Sequence, residues 1–153
     1  MKPKVYLETT IPSYLTSRPS RDVIVASHQR VTSDWWQLKR TEYELFISQA
    51  VLDEASLGDV DAAADRLIVL NAIPLIAQTA DVVLPARELA TRLMLPKRAH
   101  LDAMHISYAA LGAMHFLLTW NCTHIANAHL WGIMREVVES HDLSFRRFAR
   151  RGN

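Results

Sequence analysis

Three carboxylates and one amide carry the chemistry this chain could do: Glu8, Glu54, Asp102 and Asn121. Each stands at a comparable point of a strand–helix alternation. Glu8 closes the first strand-like run, KVYL, and Glu54 lies in the first turns of the helix that follows the second, ELFIS. Asp102 opens the helix within HLDAMHISYAALG, and Asn121 ends the strand-like FLLTWN. On a helix Asp102 shares a face with Ile106 and Ala109, so its carboxylate falls on an apolar stripe, which is costly unless a partner or a metal ion meets it. Carboxylates crowded at one rim repel one another unless a hard cation neutralises them, and an all-oxygen donor set suits Mg²⁺ or Mn²⁺. A cation in such a place supports metal-assisted hydrolysis of a phosphodiester.

The elements that must position these groups follow from periodicity and punctuation. Strands are expected at Lys4–Leu7, Glu44–Ser48, Ile73–Ala77 and Phe116–Thr119, where apolar and β-branched residues cluster. Helices are expected at about 22–40, from Gln49, at 59–71, at 80–95, from soon after Pro96 to near Gly112, and at 125–141. Pro85 either kinks the fourth of these or marks its first turn. The alternation predicts an α/β fold, a parallel sheet with helices on both faces and all strand carboxyl ends along one rim. Ligands of open α/β sheets bind at that rim, which is where the four polar residues fall. No single one of them is diagnostic, because acidic residues at helix starts are common for dipole reasons alone. Their repeated placement carries the signal.

The segments VYLETTIPSYL, SQAVLDEAS, HLDAMHISYAA and FLLTWNCTHIANA together resemble the PIN-domain family, and more narrowly its bacterial VapC-type toxins, over roughly residues 4 to 140. The resemblance implies a three-layer α/β/α domain with a central parallel sheet of four to five strands. It also implies Mg²⁺- or Mn²⁺-dependent endoribonuclease activity by metal-activated water, homodimerisation, and inhibition by a VapB-type antitoxin. Glu8, Glu54 and Asp102 match the family's acidic metal ligands, with Glu at the first position where Asp is more usual. Asn121 stands where many members carry a fourth acid; an amide oxygen can ligate or orient water but cannot act as a base. Thr9, Thr119 and Asn127 are the candidates for supporting these ligands from behind.

Composition sets the frame. With 153 residues the chain suits one domain with a real core, and half of them are hydrophobic. No apolar run approaches the roughly 18 residues of a membrane span, and MKPKVYLETT lacks a signal-peptide core, so a cytoplasmic protein is expected. The single Cys122 excludes an internal disulfide. Arg146, Arg147, Arg150 and Arg151 fall in the last eight positions, while the other 13 basic residues face 16 acidic ones. The chain therefore divides into a domain over 1–142 and a basic tail over 143–153, in which the family's final strand is diverged or truncated. The seven His residues suggest zinc, but His100/His105 and His124/His129 are five apart and HExxH is absent, so structural roles are expected for them. Two other functions fit the pattern less well. One is a fold-sharing binding or dimerisation module weakened by Asn121; the other is a phosphatase or phospho-receiver, which would need an Asp nucleophile where Glu8 stands.

Overall fold

In the computed structural model, residues 1–121, 123, 125 and 136 are described. Three parallel strands, β1 (Lys4–Leu7), β2 (Glu44–Phe46) and β3 (Phe116–Leu118), form a sheet in the order β2-β1-β3. Six helices accompany them: α1 (Thr10–Thr16), α2 (Val23–Leu38), α3 (Gln49–Ala55), α4 (Val60–Leu70), α5 (Ala80–Arg92) and α6 (His100–Leu111). The architecture is α/β with a small parallel sheet, compatible with three α/β/α layers.

The fourth sheet member expected at Ile73–Ala77 is reduced to one parallel bridge, Ile47 to Leu75, beside β2. Two hydrogen bonds make it: Ile47 N–H to Pro74 O at 3.0 Å and Ile76 N–H to Ile47 O at 2.9 Å. Pro74 has no N–H to add to a ladder, so the segment touches the edge without extending it. The helix expected at 125–141 and the tail lie outside the described residues, apart from Glu136, which is helical.

β1 is the central strand, and its Val5, Tyr6 and Leu7 are all buried, as a strand covered on both faces requires. α6 is the most enclosed helix. Asp102, Ala103 and every residue from His105 to Ala110 are buried, so it runs through the core with no wet face. It stops at Gly112 through close packing: a Cβ there would meet Ile76 Cδ1 at 2.8 Å, while the left-handed residue that turns the chain is Ala113, at φ 54°. Pro85 sits inside α5 as its sixth residue, buried, and neither starts nor ends the helix.

Candidate metal centre

Parallel connections bring the ends of β1 and β3 and the starts of α3 and α6 together. Glu8 follows β1 directly, and its backbone still pairs with the sheet through Glu8 N–H to Leu118 O at 3.1 Å. Its side chain is held in the interior, the residue only 3% exposed. Three donors converge on Glu8 Oε1: Thr10 N–H at 3.1 Å, Thr10 Oγ1 at 2.5 Å and Thr119 Oγ1 at 2.7 Å. Both threonines are fixed in turn. Trp120 N–H donates to Thr10 Oγ1 at 2.9 Å, and Asn121 N–H to Thr119 Oγ1 at 2.9 Å. Burial pushes the Glu8 carboxyl above its ordinary pKa, and the neighbouring His105 imidazole, when protonated, and these hydrogen bonds only partly offset that.

Glu54 reaches the same place from α3. Its Oε1 accepts from Thr9 Oγ1 at 2.7 Å and from His105 Nε2 at 2.5 Å. Burial pushes this carboxyl up as well, but the His105 hydrogen bond, the imidazole's charge when protonated, and Thr9 together outweigh it and hold the group below its ordinary pKa. His105 is fully buried on α6. Behind it Tyr6 Oη lies 2.6 Å from Nδ1 and 2.7 Å from Ser48 Oγ. Burial raises the Tyr6 phenol well above its ordinary pKa, so it acts here as a neutral hydroxyl.

Ligand atoms of Glu8, Glu54 and His105 lie within 4.8 Å of one another, a buried cluster that could bind a metal ion. Opposite ligands of a six-coordinate Mg²⁺ are about 4 Å apart, so this spacing is of the right scale. The hydrogen bonding points the same way. Among the described residues every hydrogen bond to either carboxylate falls on Oε1, which leaves Oε2 of Glu8 and of Glu54 for another partner. A buried acceptor with nothing to accept calls for an explanation, and a cation supplies one.

Of the residues singled out from sequence, Glu8 and Glu54 are brought together. Asp102 is buried one turn before His105 on the same face of α6, and stands outside the trio of mutually close ligand atoms. Asn121 follows β3, and its Oδ1 accepts Thr123 N–H at 3.2 Å, closing the turn there. Thr9 and Thr119 each hold a carboxylate, as above, and Asn127 lies outside the described residues. Sequence reasoning missed His105, Tyr6, Ser48 and Thr10. His105 was legible in principle, because it lies three residues after Asp102 and so on the same helical face; its spacing from His100 drew attention elsewhere.

No protein-family model matches this sequence, and no curated protein matches it significantly.

Proposed function

We propose that the protein is a metal-dependent endoribonuclease of PIN-domain, VapC-toxin type, with Mg²⁺ or Mn²⁺ held at Glu8 and Glu54. The observation that carries this reading is the meeting of those two carboxylates, each with one oxygen uncommitted among the described residues, at the carboxyl rim of a parallel sheet. Asp102, buried a turn before His105, is the third carboxylate of the reading. The donor set fits a hard ion: two carboxylates side by side, both anchored through the other oxygen by hydroxyl or imidazole donors. When bound, the ion would polarise water for attack on a phosphodiester and neutralise charge on the leaving oxygen.

The chain's own part is orientation. Thr10 and Thr119 fix the Glu8 carboxylate, and Thr9 and His105 fix that of Glu54, so neither has to reorganise when a phosphate arrives. Asn121, with an amide where a fourth acid would stand, is placed to orient water near the strand end. The substrate is RNA, and the compartment that suits it is the cytoplasm. No described helix is long and apolar enough to cross a membrane. Apolar side chains exposed on α4 (Val60, Ile68) and at the start of α2 (Val23, Ile24) offer faces for a second copy or an antitoxin-type partner.

Cleavage of a mixed RNA pool with Mg²⁺ or Mn²⁺ tests the reading. Glu54→Gln and Asp102→Asn should each lower the rate at least about a hundredfold with the fold intact by circular dichroism, and EDTA should abolish it. Parent-level cleavage in EDTA or in both variants refutes the assignment.

A further inference from the structure

Four groups stand in line behind the carboxylate pair. Val51 N is 3.4 Å from Ser48 Oγ, Ser48 Oγ 2.7 Å from Tyr6 Oη, Tyr6 Oη 2.6 Å from His105 Nδ1, and His105 Nε2 2.5 Å from Glu54 Oε1. Ser48, Tyr6 and His105 are each fully buried. Heavy-atom distances leave the direction of the middle bonds open, but the proton inventory closes it. The Val51 amide can only donate, so Ser48 Oγ accepts there. The Ser48 hydroxyl proton must then go elsewhere, and among the described residues Tyr6 Oη is its one acceptor. Tyr6 accepts from Ser48 and spends its own proton on His105 Nδ1, which must be a bare nitrogen. Glu54 as a carboxylate only accepts, so His105 Nε2 carries a hydrogen. Every proton is used once.

The reverse direction would start from a hydrogen on Nδ1 and end by stranding the Ser48 hydroxyl proton in a dry interior. Geometry adds a separate objection to a nitrogen ligand. Neighbouring atoms around an ion with bonds of 2.0–2.2 Å are about 3 Å apart, and the 2.5 Å from Nε2 to Glu54 Oε1 is a hydrogen bond instead.

We propose that Ser48 and Tyr6 are positioning residues that set the metal preference of the Glu8–Glu54 site: they keep His105 a hydrogen donor to Glu54 and so withhold its nitrogen from the ion. This rests on the reading above that the carboxylate pair takes a divalent cation. Oxygen ligands alone favour Mg²⁺ and Mn²⁺, whereas an imidazole nitrogen would favour Zn²⁺. In Ser48→Ala no hydroxyl proton is left to strand, the chain can invert, and Nε2 becomes open to Zn²⁺. Ser48→Thr retains the donor.

The test is read on the full chain without RNA. Long-range ¹⁵N–¹H spectra of His105 at neutral pH, in the metal-free and Mg²⁺-saturated parent, should both show hydrogen on Nε2 and a bare Nδ1. Titration calorimetry with Zn²⁺ and with Mg²⁺ should show the Zn²⁺:Mg²⁺ affinity ratio rising about tenfold in Ser48→Ala and staying at the parent value in Ser48→Thr. A hydrogen on Nδ1 in the parent, loss of the Nε2 hydrogen on adding Mg²⁺, an unchanged ratio in Ser48→Ala, or binding of neither ion overturns the proposal. The ribonuclease reading can fail separately: a protein that takes Mg²⁺ with His105 still Nε2–H but cuts no RNA leaves this inference standing. An active ribonuclease whose His105 nitrogen takes the ion ends this inference alone.

Discussion

Glu8 and Glu54 are the same side chain, with ligand atoms within 4.8 Å of each other, and their surroundings push them in opposite directions. Glu8 sits deeper and is held mainly by neutral hydroxyls, so desolvation wins and its carboxyl pKa rises. Glu54 is more exposed and meets an imidazole, so its carboxyl falls below the ordinary range. The lesson concerns what holds a buried charge. Hydroxyl donors orient a carboxylate without repaying its desolvation, while a ring that can itself be charged does both. A cation between the two would therefore help Glu8 most.

Cutting the stronger support should have the largest effect. His105→Leu removes the donor to Glu54 and the acceptor for Tyr6 and leaves both stranded in the interior. The expected cost is about 3 kcal/mol, or on the order of 10 °C in melting temperature. A loss under about 2 °C in a calorimetric scan would mean that Glu54 does not depend on the ring.

Neutralising each acid in turn should then give effects of opposite sign in the metal-free protein. A carboxyl with a raised native pKa binds its proton more tightly folded than unfolded. The stability it contributes is present at low pH, falls as pH rises from the ordinary carboxylate range to the raised native value, and stays lost above it. Glu54, with a lowered native pKa, contributes stability above the ordinary range that is lost as pH falls through its native value. At neutral pH in EDTA, Glu8→Gln should melt a few degrees above the parent and Glu54→Gln a few degrees below. Shifts of the same sign would contradict the contrast between the two pockets.

The smallest effect is expected at the hydroxyls. Thr119→Ala removes one of three donors from Glu8 Oε1 and should cost about 1 kcal/mol, with a weaker hold on added Mn²⁺. Thermal melts with and without the ion separate those two consequences.

What could be read before the coordinates is instructive in its particulars. β1 and α6 were legible, because a short run of apolar strand formers after Pro3 and a helix between Pro96 and Gly112 carry their own boundaries. The rim placement of Glu8 and Glu54 followed from parallel topology, which depends on local order alone. Ile73–Ala77 reads as a strand by composition, yet pairing is a tertiary matter, and only the bridge through Leu75 forms. The Ser48–Tyr6–His105 line was out of reach for the same reason, since it joins residues 42 and 99 positions apart. Thr10 and Thr119 belong with it: hydroxyl partners are chosen by packing, and no spacing rule announces them.

Calorimetric titration of Mn²⁺ into the parent, Glu8→Gln and Glu54→Gln most directly tests whether the carboxylate pair is a cation site. One saturable site in the parent, weakened about a hundredfold or more in each variant, is the predicted result. Equal affinity in all three would contradict it.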